Sequence, residues 1–159
     1  MEAATVRMTL ASRLRVLGLA YLTREHAPDA RASSEFVRLF ENPATGACPP
    51  CQSAFLSPLA NPPRKLAALP NKALTWYRRF GFGSLAQDRP ADHVGLLLTF
   101  AGHLLDADPS PAMLMSYSRE HLLWIDDFCD RLSSEARHPF YRELAESTRT
   151  AVQSYAANA

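Results

Sequence analysis

Apolar positions recur at helical spacing along most of this chain, and nowhere do they alternate as a half-buried strand would. From Thr5 to Arg24, Met8, Leu10, Leu14, Leu17 and Tyr21 fall near one helical face, in a stretch rich in Leu, Ala and Arg. This predicts a first long helix. A shorter second helix is expected over Ala32 to Phe40, with Phe36, Leu39 and Phe40 apolar and Ser33 or Ser34 placed to cap it. The periodicity then stops.

Between Asn42 and Pro63 the chain carries Pro43, Gly46, Pro49, Pro50, Pro58, Pro62 and Pro63, which lock φ and remove backbone donors. A long Pro-rich loop is expected over 42–63, and loops of that length are commonly functional. Helical spacing resumes over Lys65 to Leu69 and Asn71 to Phe80, with Pro70 at a break or first turn and Gly81 and Gly83 ending the run. A further helix is expected to start at Pro90 or Asp92 and reach Ala107, with Val94, Leu97, Leu98, Ala101, Leu104 and Leu105 on its apolar face. Asp108-Pro109-Ser110-Pro111 breaks it. One long helix should then cover Ala112 to Ala136, and a last one should follow Pro139 and extend through Tyr155. The expected fold is all-α, a single-domain bundle of about six main helices spanning 1–159.

Charge narrows the function classes. Seventeen basic and 16 acidic residues leave a net +1, too balanced for general nucleic-acid binding or for attraction to an anionic membrane. No window approaches the roughly 18 apolar residues of a membrane span, and Arg7, Arg13 and Arg15 interrupt any secretory signal. Three cysteines make a poor disulfide framework and fit reduced thiols, so a cytoplasmic location is expected.

Candidate chemistry is sparse. Cys48-Pro49-Pro50-Cys51 has the spacing of a redox pair or half a zinc site, yet no second pair completes a tetrahedron; His26 or His103 would have to reach it from a distance. Cys129 reads as core. Asp92 and His93 are adjacent, so on a helix they diverge by about 100° and do not form a natural acid–base dyad. The plainer reading has Asp92 capping its helix and His93 on the surface; the sharper one makes both polar markers at the lip of a groove. No zinc-peptidase spacing, phosphate loop or nucleophile elbow occurs, which points away from an enzyme.

Several short motifs then fall into a recognisable order. Tyr77-Arg78-Arg79-Phe80-Gly81 is followed by Pro90-Ala91-Asp92-His93-Val94, by His121-Leu122-Leu123-Trp124 with Phe128, and by Phe140-Tyr141-Arg142-Glu143-Leu144-Ala145. Upstream stands Pro50-Cys51-Gln52-Ser53-Ala54-Phe55. Together these resemble the TorD/DmsD/NarJ-type redox enzyme maturation proteins. The resemblance implies an all-helical cytoplasmic chaperone, without catalytic activity, cofactor or metal. Its partner would be the precursor of a molybdopterin oxidoreductase subunit, met at its twin-arginine signal peptide or elsewhere; a homodimer is a further alternative. By motif matching, Tyr77, Gly81, Pro90, Asp92, His93, His121 and Trp124 would surround the peptide. Departures are present: Leu97 stands where the family often has a glutamate, Ala91 replaces a second proline, and Cys51 stands where an aromatic is common. The alternative from the residues alone is a small helical metal- or redox-responsive protein using Cys48 and Cys51.

Overall fold

The computed structural model describes residues 2–41, 46–57, 64–83 and 88–159. Among these the fold is all-α, and the sole β-type pairing is an isolated antiparallel bridge between Cys51 and His93. The helices are α1 (Glu2–Leu22), α2 (Ala30–Phe36), α3 (Gln52–Leu56), α4 (Arg64–Ala67), α5 (Leu69–Arg79), α6 (Val94–Asp106), α7 (Pro111–Tyr117), α8 (Ile125–Glu135) and α9 (Pro139–Ala157). Two π-helical turns, Val37–Glu41 and Ser118–Leu122, extend α2 and α7.

α6 is the axis of the molecule. Leu96, Leu97, Leu98, Phe100, Ala101, Leu104 and Leu105 are all buried, so this helix is covered on every side rather than along one stripe. Its longest partner is α1, and small residues let the two backbones approach. A Cβ built on Gly18 would lie 2.5 Å from the Gly95 carbonyl oxygen, and one on Gly102 would lie 2.6 Å from that of Ala11. Glycine is required at this crossing because facing backbone carbonyls, together with the Thr99 hydroxyl 2.3 Å from a Gly18 Cβ, would have to yield. Arg15 reaches across to pair with Asp106 at the far end of the same contact.

Four buried tyrosines fasten helices together, each using its ring for packing and its hydroxyl for a specific partner. Tyr141 donates to the Ala32 carbonyl at 2.9 Å, Tyr117 to that of Leu97 at 2.8 Å, and Tyr77 to that of Ala91 at 2.6 Å. Thr148 spends its proton on the Leu144 carbonyl, so its oxygen accepts from Tyr21 at 2.8 Å and ties α9 to α1.

Several expectations need correction. α2 starts earlier than expected, capped by Asp29, whose carboxylate accepts from Ala32 N at 2.8 Å, so neither Ser33 nor Ser34 caps it. The Pro-rich segment is not wholly irregular: Gln52–Leu56 is helical, because no proline falls between Pro50 and Pro58. The other parts of that expected loop, 42–45 and 58–63, lie outside the described residues. The single helix expected over Ala112 to Ala136 is broken by the π turn and by Leu123-Trp124, which turns the chain before α8. Finally, α6 begins at Val94, so neither Pro90 nor Asp92 belongs to it.

At the end of α5 the expected stop at Gly81 is present, with the helix itself ending at Arg79. Gly81 has φ +62°, Phe82 N donates to the Tyr77 carbonyl at 2.8 Å, and Gly81 N donates to that of Arg78 at 3.4 Å. These are the two bonds of a Schellman C-cap, which needs a left-handed residue.

Candidate functional site

The residues at the start of α6 form a cross-braced turn. His93 is the N-cap: its Nδ1 accepts from Gly95 N at 3.0 Å, and the residue is 1% exposed. Asp92 is fully buried and caps a different helix. Its carboxylate accepts from Ser53 N at 2.8 Å and its carbonyl from Gln52 N at 3.0 Å, satisfying two orphan donors of α3. Val94 N returns a bond to the Pro50 carbonyl at 2.7 Å. The reading in which Asp92 caps its own helix and His93 lies on the surface is thereby overturned.

The hydrogen bond to Nδ1 fixes the chemistry of His93. With Nδ1 accepting, the neutral ring carries its proton on Nε2, and burial, aided by Arg89, pushes its pKa down to about 3. At neutral pH, His93 is therefore an N–H donor, not a base, and a nitrogen that keeps its proton offers no lone pair to a metal. A histidine also caps α9: His138 Nδ1 accepts from Phe140 N at 3.1 Å, while its Nε2 donates to Asp29 at 3.2 Å. Nε2 of His93 has no such partner among the described residues, and neither does Asp92 Oδ1.

A second network braces α3 from the opposite side. The Gln52 amide donates to the Glu120 carbonyl at 2.8 Å, which orients its oxygen toward His121 Nδ1 at 2.9 Å. His121 must then donate from Nδ1. Its Nε2 lies 3.2 Å from a Glu120 carboxylate oxygen without hydrogen-bond geometry, and burial lowers its pKa. That carboxylate accepts from Trp76 Nε1 at 3.1 Å, and the His121 carbonyl accepts from Trp124 Nε1 at 2.8 Å. The π turn places Glu120 and His121 side by side for these roles, a use such turns often serve. Phe55 of α3 packs on Trp124 with ring centroids 5.4 Å apart.

Above the braced turn lies a cavity of about 550 Å³. Its lining comes from Pro49, Pro50, Cys51 and Ala54 at the start of α3, from Asp88, Arg89, Pro90 and His93 before α6, and from Phe40, Glu41 and Gly46. Cys51 and His93 are the two bridge-paired residues, so both project to one side of the pairing. Within this lining the Arg89 guanidinium lies 4.0 Å from the Glu41 carboxylate. Apolar walls with a few placed polar groups make a binding concavity of ordinary kind.

The family model for the nitrate reductase delta subunit matches residues 3–130, from α1 into α8. The chain belongs to this family. It is similar to a probable Tat proofreading chaperone, DmsD, of Haemophilus influenzae, with 39% identity over 70 residues, 43% of this chain and 34% of that protein. It is also similar to the chaperone protein YcdY of Escherichia coli, with 38% identity over 68 residues, 41% of this chain and 37% of that protein. The matches thus span about a third of the length of these relatives.

In this delta-subunit family member, Asp92, His93, His121 and Trp124 pack on α3 or on residues bonded to it, Tyr77 reaches the 88–93 turn through Ala91, and Gly81 stands apart. Pro90 and His93 line the cavity. Tyr77, Asp92, His121 and Trp124 are buried beneath or beside it as supports, and Gly81 is the exposed cap of α5. Spacing could not reveal Gln52, Glu120, Glu41, Asp88 and Arg89, because their roles depend on which elements meet. The one available signal was Gln52, a polar residue in a segment that the resemblance already marked.

The thiols do not support a metal or redox centre. Cys48 is fully buried, with its sulfur 3.9 Å from the Phe128 carbonyl oxygen, and burial raises its pKa strongly. Cys51 is half-buried in the cavity wall and pushed up to about 12, chiefly by burial and then by Asp92. Both are neutral thiols at physiological pH, poor nucleophiles and poor ligands. No described helix is long and apolar enough to cross a membrane.

Proposed function

We propose that this protein is a cytoplasmic, non-enzymatic chaperone that holds a segment of a client polypeptide in the cavity over α3 and the 88–93 turn. The client is the precursor of a molybdenum-containing oxidoreductase subunit, engaged at its twin-arginine signal peptide. Membership of the delta-subunit family supports this reading, as do the names of the two relatives, both chaperones and one a Tat proofreading chaperone. The carrying observation is the cavity itself. It combines proline-rich walls, which an apolar segment can cover, with the carboxylates of Glu41 and Asp88, which suit a guanidinium. The unpartnered Nε2–H of His93 is the kind of donor that a client main-chain carbonyl would satisfy.

The test uses a fluorescent peptide with two consecutive arginines followed by an apolar stretch, titrated with the wild-type chain and with Ala54→Trp. Ala54 is exposed on the cavity wall, so the larger ring fills the space without entering the core. Saturable binding to wild type and loss of roughly tenfold or more in Ala54→Trp, at unchanged helical circular dichroism, is expected; tenfold corresponds to about 1.4 kcal/mol. Absence of binding, or equal affinity for both chains, would overturn the proposal.

A further inference from the structure

Arg89 stands apart from the other groups lining the cavity because it is a cation placed where the carboxylates would favour a cationic ligand. Its nearest anionic partner is Glu41 at 4.0 Å, at the limit of ion pairing, and the two side chains are 25% and 36% exposed. No hydrogen bond joins them in that geometry, so little holds the guanidinium there. Asp88, its neighbour in sequence and in the lining, is exposed and has no cation within pairing distance among the described residues.

We propose that Arg89 is a resident stand-in for the client's arginine, occupying the Glu41 carboxylate until a basic client segment displaces it, and so setting how strongly the cavity selects for positive charge. This rests on the peptide-binding reading given above and adds a regulating residue to that same site.

Two observations support it. The cavity holds Glu41 and Asp88 against Arg89, a net charge of −1, and a cationic segment entering it meets attraction from two groups and repulsion from one. Arg89 also shares the cavity lining with His93 and Cys51, and its charge is felt by both: it opposes protonation of His93 and favours the thiolate of Cys51. Displacement is easy because the pair is weak. An entering guanidinium takes Glu41 or Asp88, and Arg89 swings to water on its flexible stem.

The experiment compares wild type, Arg89→Gln, Arg89→Lys and Ala54→Trp against the same paired-arginine peptide and against a version with both arginines replaced by glutamine. Arg89→Gln should bind the arginine peptide roughly three- to fivefold more tightly, the range of a partly exposed charge interaction. Arg89→Lys should match wild type, the glutamine peptide should not distinguish Arg89→Gln from wild type, and the gain should shrink in high salt. If wild type binds and Ala54→Trp does not, while Arg89→Gln is weaker or unchanged, the stand-in role is wrong and the cavity reading survives. If no chain binds either peptide, both fall together.

Discussion

The carboxylate of Asp92 accepts the main-chain N–H of Ser53 at 2.8 Å, across 39 residues of sequence. α3 has no side-chain cap of its own, since Cys51 occupies the capping position and makes no such bond. Its N-terminus is therefore completed from outside, by the residue that immediately precedes the N-cap of α6. The cavity wall and the central helix are thus fastened at one point.

Removing that carboxylate should loosen the wall before it affects the bundle. Asp92→Ala is expected to cost about 1–2 kcal/mol, the usual value of a helix cap with some desolvation of the freed donors. Hydrogen exchange should show the amides of Gln52 to Leu56 losing protection, while those of α6 do not. Uniform loss across the molecule would argue against a local brace.

Acid should destabilise the protein through His93. Its folded pKa, about 3, lies below the unfolded value near 6.5, so between those limits the unfolded chain binds the extra proton. Stability is full above about pH 6.5 and falls as pH drops toward 3, by at most about 1.4 kcal/mol per pH unit from this group. His121, also lowered by burial, adds in the same direction. His93→Asn keeps an acceptor at the N-cap and removes the titration. Its stability, followed by urea unfolding from pH 7 to pH 4.5, should fall less steeply than that of wild type.

The α1–α6 crossing sets a hard limit on size. Gly18→Ala would put a Cβ 2.3 Å from Thr99 Oγ1 and 2.5 Å from the Gly95 oxygen. Overpacking of this kind costs about 1–3 kcal/mol, against the modest gain in helix propensity, and should appear as a lowered denaturation midpoint. An unchanged or raised midpoint would mean that the helices can part without loss.

Gln52→Leu keeps bulk in place and removes the bridge between His121 and the Glu120 carbonyl. Two buried groups lose their partners, at a cost of about 1–3 kcal/mol. Trp76 and Trp124 donate to Glu120 and to the His121 carbonyl, and they are the two tryptophans of the chain, so intrinsic fluorescence should report the change directly. A native emission spectrum in the variant would show that the network is not held through Gln52.

The helical class, the Gly81 cap and the main apolar helices could be read from the sequence because each follows from local rules. Spacing of apolar groups dictates a helix with a buried face, a proline stops or starts one, and a glycine supplies the left-handed residue that a C-cap needs. The motif order pointed to the family whose model matches residues 3–130. Local rules erred where a neighbour from elsewhere supplies the deciding interaction: Asp29 rather than a serine capped α2, His93 rather than Asp92 capped α6, and a five-residue helix formed among prolines because Asp92 completes it.

By itself, then, the sequence determined a bundle and the faces its main helices bury. Tertiary structure decided what each polar group does. Asp92 and His93, adjacent in the chain, cap two different helices and lie buried, while Glu41, Asp88 and Arg89, with no shared motif, meet at one cavity. Burial and pairing of a charge depend on distances between elements far apart in sequence, and no local pattern encodes those distances.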